Sequence, residues 1–375
     1  MATLHEKIEL LKGLITGEIA QTGPFYVTVD VTRRCNLRCP GCRYHSSMIN
    51  IPSPGDQEIM DISLNLFKEM CDELKTMGTR SMILIGEGEP FLHPRLFDLI
   101  SFAKRVGLHV TLLTNGTLLD ETRIKLLIDS RLDILKVSCW AGSIEEYQRN
   151  YPGANPGNFE KIAAGLKLLA NMKAEHKSRL PFVVLHQPIS RNNFQDIDAM
   201  VELAHTTGSN MLSLSPFKTR RGELAELALS PDQERVLNLT LCRMKEQLNS
   251  LSIKENIDQT FLRYRIGEAV WQELPCYIAW LHARVKVDGT VLPCNPCDLS
   301  LGSLKESRFD EIWNGSAYRE FRKGTLTRSG LISVGRHCDC GFCCHVEDNV
   351  RVHRLFKWIS PFCVGHRRPE TRKAL

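Results

Sequence analysis

Cys35-Asn36-Leu37-Arg38-Cys39-Pro40-Gly41-Cys42 sets three cysteines at C-x3-C-x2-C spacing directly after the apolar run Phe25 to Val31. Tyr, Val and Thr dominate that run and a Gly-Pro pair precedes it, so it reads as a buried strand ending where the cysteine loop begins. Four-iron clusters are usually held by four thiolates. Three in one loop, with no fourth cysteine before Cys71, leave one iron of such a cluster open to something other than protein. A zinc site and redox-sensing thiols are the alternatives that this spacing alone leaves standing.

The chain has 14 cysteines in 375 residues, clumped at 35–42 and again between Cys276 and Cys344. Met1 to Ala20 mix charge with Leu and Ile at helical spacing and lack the apolar core and cleavage site of a signal peptide. No apolar run is long enough to span a bilayer, so the expected location is cytoplasmic. Thiols there are kept reduced and disulfide frameworks are rare, which makes ligation the simplest use for so many. Cys71 and Cys242 fall in helical patterns and read as core fillers. Net charge is +5, but the end of the chain is far more basic: Arg351, Arg354, Lys357, Arg367, Arg368, Arg372 and Lys373 stand against Glu370. That tail suits an anionic surface or simple solvation, and no clear nucleic-acid or membrane partner follows from it.

Beyond an irregular stretch with Pro52, Pro54 and Gly55, apolar periodicity alternates between helical and strand patterns. Strands are expected at Phe25 to Val31, Ser81 to Ile85, Leu108 to Leu113, Asp133 to Ser138, Phe182 to Leu185 and Met211 to Leu214, with helices between them. Such alternation predicts a parallel sheet with helical crossovers. Ligands bind at the carboxyl ends of these strands, whether the sheet stays open or curls into a barrel. The unusual residues fall there: the cysteine loop, Gly86-Glu87-Gly88-Glu89-Pro90, Thr114-Asn115-Gly116 and Ser138-Cys139-Trp140. A charged helical connector, 219–274, opens with Arg220, Arg221, Glu223 and Glu226 and carries the stripe Leu237, Leu241, Met244, Leu248. A second unit starts at Cys276, with an Asp288-Gly289 hairpin, then Cys294 and Cys297, and later Cys338-Asp339-Cys340-Gly341-Phe342-Cys343-Cys344.

Cys35, Cys39 and Cys42 after strand one, Gly88-Glu89-Pro90 after strand two and the six-fold alternation over 25–218 together resemble the radical S-adenosylmethionine (SAM) enzymes. Gly41 departs from the family pattern, where an aromatic or large residue commonly stands. The resemblance implies an α/β fold, a partial (β/α)6 TIM-like barrel followed by a small cysteine-rich α+β domain. It implies a 4Fe-4S cluster on Cys35, Cys39 and Cys42, with SAM on the open iron and reductive cleavage to a 5'-deoxyadenosyl radical. An electron donor such as flavodoxin or ferredoxin follows from that chemistry. Carbonyls of the Glu87, Gly88, Glu89 edge would accept from the SAM amine, and Asn115 and Ser138 would meet its ribose or methionyl part. Lys136 shares a strand face with Ser138; it would pair with the SAM carboxylate or with a structural acid.

The second unit resembles the SPASM and twitch auxiliary-cluster domains through Cys276, Gly289 and Cys294 at C-x12-G-x4-C and the pair Cys340 and Cys343. Asn349 stands where the full SPASM pattern has its next cysteine, which implies the shorter twitch arrangement. The implied ligands of an auxiliary 4Fe-4S cluster are Cys276, Cys294, Cys340 and Cys343; Cys297, Cys338, Cys344 and Cys363 are spare. A zinc ribbon from Cys294-x2-Cys297 and Cys340-x2-Cys343 in a nucleic-acid-binding protein is the non-enzymatic alternative.

The expected divisions are a helix in 1–24, the barrel at 25–218, the connector at 219–274, the auxiliary domain at 275–345 and the basic tail at 346–375. The expected activity is oxidation of a small polar, sugar- or cyclitol-like substrate, with His186, beside Gln187 at the end of strand five, as a candidate base. Epimerisation, with Cys139 as hydrogen donor, and peptide maturation are the alternatives. Only 24 residues precede strand one, few for a peptide-recognition domain.

Overall fold

The computed structural model describes residues 4–50, 58–217, 222–266, 271, 274–295, 297–338, 340 and 343–356. Pro52, Pro54, Gly55, Arg220, Arg221, Asp339, Gly341, Phe342, Cys363 and the basic residues from Lys357 onward lie outside the described residues.

Strands β1 (Tyr26–Asp30), β2 (Ser81–Ile85), β3 (His109–Thr114), β4 (Ile134–Ser138), β5 (Phe182–Ile189) and β6 (Met211–Pro216) pair in parallel and in chain order. Helices cross between them, as the alternation requires. Side-chain caps fix where several begin: Ser63 accepts from Leu66 N at 3.2 Å and Asp120 from Arg123 N at 2.8 Å. Sequence reading missed one, Ile144–Asn150, capped by Ser143.

Along β2, β3 and β4 one face is fully buried, with Met82, Leu84, Val110, Leu112, Leu135 and Val137 packed among the helices. Each such side chain contributes roughly 1.5–3 kcal/mol. The alternate face, with Ile83, Thr111, Lys136 and Ser138, keeps partial access to solvent. The inner side of the curved sheet is therefore a lumen rather than a filled core. This is a partial (β/α)6 barrel.

The largest departure from expectation is at the sheet's edges. The hairpin strand assigned to a separate unit, β8 (His282–Val285), pairs in parallel with β1. It extends one ten-stranded sheet through β9 (Thr290–Leu292) and β10 (Gly302–Ser303), while β7 (Lys254–Glu255) of the connector adds to β6. The reason is physical: β1, with Val27 and Val29 wholly buried, would otherwise present an unpaired edge.

Opposite, helices Ile257–Ile266 and Val346–Phe356 stand across the gap between β6 and β8. Asn256 exchanges hydrogen bonds with the Leu214 backbone, Arg263 pairs with Glu347 at 3.1 Å, and Tyr26 donates to Asp348 at 2.6 Å. Residues 346–356, expected to begin a tail, thus form a packed helix with Val346, Asn349, Val350 and Val352 buried. The N-terminal helix Leu4–Thr16 leads into a segment that docks on the C-terminal region: Trp313 donates to the Thr22 carbonyl and Arg322 to that of Glu18. Arg322 is itself sunk among the rings of Trp313, Tyr318 and Trp280.

One buried ion pair joins the two parts. Arg284 on β8 donates to both Asp30 oxygens at 2.8 and 2.9 Å, to the Asn295 carbonyl at 2.8 Å and to the Tyr44 hydroxyl at 2.9 Å. Burial pushes the Asp30 pKa up to about 6 against the pull of Arg284, so the carboxylate is ionised at neutral pH. Arg284→Met, which strands that charge, is expected to cost ~3–5 kcal/mol. Urea unfolding of the variant would show it, and an unmoved midpoint would refute it.

Candidate functional site

The cysteine loop is fastened where β1 ends. Thr32 donates to Asp61 at 2.6 Å, and Arg33 is held by Glu58 at 2.6 Å, Glu87 at 2.7 Å and Asp288 at 3.3 Å. The Gly88-Glu89 backbone runs against the loop, Gly88 N donating to Thr32 O at 3.0 Å and Glu89 N to Arg34 O at 2.7 Å. A Cβ on Gly88 would lie 2.0 Å from the Arg34 carbonyl oxygen, so only glycine permits this approach.

The residues expected to touch the cofactor mostly spend their side chains on this scaffold. Glu87 bridges Arg33 and Lys286. The buried Glu89 carboxylate accepts from Asn115 N and Thr114 Oγ1, both at 2.7 Å, and from Phe91 N at 3.1 Å, welding the end of β2 to that of β3. The Asn115 amide donates to Asn36 of the loop at 2.9 Å and accepts from Thr117. Ser138 faces the lumen beside His186, its register partner on β5.

Cys35, Cys39 and Cys42 gather in this loop. Burial raises the thiol pKa values of Cys35, to about 11, and of Cys39, with Cys42 adding to both. Loading with metal must therefore displace protons. Cys42 Sγ accepts from Tyr44 N and His45 N, both at 3.3 Å, contacts that stabilise a bound thiolate and tune a cluster's potential. Three clustered thiols with backbone donors aimed at one of them fit a cluster with one open iron.

Gly41 proves consistent with this loop in a way the sequence does not reveal. A Cβ there would meet Trp140 Cη2 at 2.4 Å and Phe217 Cε2 at 2.5 Å. The two rings, 5.3 Å apart, come from the ends of β4 and β6. The aromatic surface missing from the loop is supplied from the barrel rim.

The four expected auxiliary cysteines also converge. Burial raises the thiol pKa values of Cys276, to about 12, and of Cys294 and Cys343. Cys340 adds to the shift at Cys276, Cys276 and Cys340 add at Cys294, and Cys294 and Cys276 add at Cys343. Such a buried thiol set fits an auxiliary cluster. Cys297 is disulfide-bonded to Cys338, contrary to the expectation of reduced thiols, and this removes a ligand from the zinc ribbon. Among the described residues no three His, Cys, Asp or Glu side chains are arranged to hold a single metal ion.

Facing β1 and β8, His345 hydrogen-bonds Tyr26 at 3.0 Å, and its ring lies 4.7 Å from that of His282. Sequence reading had no handle on this group, because its members come from three distant segments.

Two candidates for the chemistry fare differently. His186 projects into the lumen between Ser213 and Ser215 of β6, 3.3 Å from each, and burial together with Lys136 and Arg263 holds its pKa well below that of a free imidazole. Cys139 must be withdrawn as a hydrogen donor. Strand alternation turns it to the helix side, where it is wholly buried, lies 3.5 Å from the Ala141 carbonyl, and has its pKa pushed up to about 12 by burial. Gln187 likewise faces outward and donates to Ala141 O.

A half-barrel with a three-cysteine loop at its rim and a second cysteine set at its flank defines a class, and comparison with known proteins agrees. Residues 29–209 match the radical SAM superfamily and residues 276–344 the SPASM iron-sulfur cluster-binding domain. The chain belongs to the radical SAM superfamily and carries a C-terminal SPASM domain, so its cofactors are a SAM-binding 4Fe-4S cluster, SAM and auxiliary iron-sulfur. It is 27% identical over 323 residues to an AdoMet-dependent heme synthase of Methanosarcina barkeri, covering 81% of this chain and 86% of that one. It is 24% identical to a PqqA peptide cyclase of Gluconobacter oxydans, with 80% of each covered. In fold it resembles Streptococcus suis SuiB bound to its precursor peptide SuiA, with a TM-score of 0.64 at 13% identity over 91% of this chain and 76% of that one. Among the described residues no helix is long and apolar enough to cross a membrane.

Gly88→Ala is expected to push the β2 edge off the loop and to weaken SAM binding at least ~10-fold, since the clash is with fixed backbone. Equilibrium dialysis with labelled SAM on the anaerobically reconstituted protein checks this; wild-type affinity would contradict it.

Proposed function

We propose that the chain is a radical maturase, removing a hydrogen atom from a peptide or a comparably large precursor seated in the barrel lumen. One observation carries this reading: the resemblance to the heme synthase and the peptide cyclase extends over four-fifths of the chain. Sugar or cyclitol oxidation, the first expectation from sequence, has no support from these relatives. The heme-synthase likeness, which spans 86% of that protein, favours a tetrapyrrole as second reading.

In this proposal Cys35, Cys39 and Cys42 hold the SAM-binding cluster, and Cys276, Cys294, Cys340 and Cys343 hold an auxiliary one. When bound and reduced, by flavodoxin or ferredoxin, the first cluster supplies the electron that splits SAM into methionine and a 5'-deoxyadenosyl radical. The chain's own contribution is placement. Glu89 and Asn115 fix the loop over the lumen, Trp140 and Phe217 wall it on one side, and the neutral His186 imidazole can take a proton from the substrate. With Cys139 turned away, the lumen face of β4 offers no thiol for radical quenching, which disfavours the epimerase alternative.

Anaerobically reconstituted protein is expected to bind about eight irons, four per cluster, and to release 5'-deoxyadenosine with SAM and dithionite. Cys35→Ala should abolish that release. Among peptides, carboxylated iron porphyrins and cyclitols, one of the first two classes should raise the output. Stimulation by cyclitols alone would overturn the maturase reading, and near-stoichiometric zinc without visible absorbance would overturn the cluster assignment.

A further inference from the structure

Lys136 sits in the middle of β4 on the lumen face, one residue pair below the rim position Ser138. Among the described residues it forms no hydrogen bond or ion pair. The side chain is half-buried, which draws its ammonium group partly out of water without a partner, an unfavourable state, and this burial lowers its pKa to about 8, with Arg263 adding to the effect and Cys344 and Glu347 opposing it. Arg263 reaches toward the same space from helix Ile257–Ile266, but it is already engaged by Glu347 at 3.1 Å and the Cys344 carbonyl at 3.0 Å. His186, the third basic group facing this space, stays neutral. Arg263 is thus answered by Glu347, whereas the Lys136 ammonium has no carboxylate partner among the described residues.

We propose that Lys136 is the seat of a substrate carboxylate, with Arg263 reinforcing the field and Ser138 and His186 flanking it. This rests on the lumen being the substrate chamber, as the maturase reading requires, and it adds the chemical class of the group recognised. A single unpartnered ammonium matches a monoanion, so a carboxylate fits better than a phosphate dianion. A charge-assisted bond from the ammonium would supply the missing partner. The position also has a geometric meaning. Lys136 lies below the rim that carries the cysteine loop and within the electrostatic reach of Cys344, next to the auxiliary set. A substrate held there by its carboxylate is presented between the two cysteine sites.

The test uses butyrate and its uncharged isostere butyramide as probes, followed by ligand-observed NMR on reconstituted wild type, Lys136→Met and Lys136→Arg. Wild type should bind butyrate saturably and at least ~10-fold more tightly than butyramide, the discrimination expected of a charged partner. Lys136→Met should lose that discrimination and Lys136→Arg should keep part of it. Absence of saturable butyrate binding, equal binding of the two probes, or discrimination that survives in Lys136→Met would overturn the proposal. So would a ~10-fold loss of SAM affinity in Lys136→Met by equilibrium dialysis, since that would put the SAM carboxylate on this lysine. Failure of the radical reading itself shows separately, as absence of 5'-deoxyadenosine release by wild type.

Discussion

The contact of Arg284 with Asp30 is the constraint on which the remaining architecture depends. One guanidinium, 4% exposed, reaches β1, the hydroxyl of Tyr44 in the cysteine loop and the carbonyl of Asn295 beside Cys294. The two cysteine regions are thus referred to a single fixed point. Arg43 repeats the link at the surface, pairing with Asp298 at 2.7 Å. A surface pair of that kind is worth little alone, whereas the buried one leaves an orphaned charge if broken. The auxiliary segment is therefore part of the barrel wall, and the lumen between the two cysteine sets has a defined width.

Within that frame the site divides its labour by depth. At the rim, Glu87 is consumed in ion pairs with Arg33 and Lys286, Glu89 and Asn115 hold backbone, and glycine at 88 lets two backbone segments touch. Deeper in the lumen the polar side chains are under-partnered: Lys136 has no hydrogen bond or ion pair among the described residues and His186 rests on two serines. Rigid above and unsatisfied below is the pattern expected when a cofactor is fixed at the mouth and a substrate is recognised inside.

Much of this was legible in the sequence because it is written locally. Period-two apolar runs bounded by Gly, Pro and Asn placed the six barrel strands to within a residue or two at most ends, β5 running furthest past its expected limit. The thiols grouped by cysteine spacing and by the family resemblance lie near one another in the fold at both sites. Alternation also contained a warning about Cys139: Lys136 and Ser138 cannot both face the lumen unless Cys139 faces away. What stayed hidden was non-local. No pattern around residue 284 announces that its strand will pair with residue 28, nothing near Gly41 says that Trp140 and Phe217 will fill its place, and the Cys297–Cys338 link joins residues whose closeness depends on the completed sheet.

The distance along the chain between Asp30 and Arg284, 254 residues, also sets an order of events. Contacts of such separation are paid for in loop-closure entropy before they return anything, and they slow folding. While the chain is being made, β1 and the cysteine loop emerge long before their partner strand exists. Val27 and Val29 then lie on an open edge and Asp30 has no counter-ion. Neither cysteine set reaches its final surroundings until β8 and the segment carrying Cys343 have been released. The metal centres are therefore finished late, after β8 has found β1, and iron supplied earlier would meet a loop that does not yet have its shape.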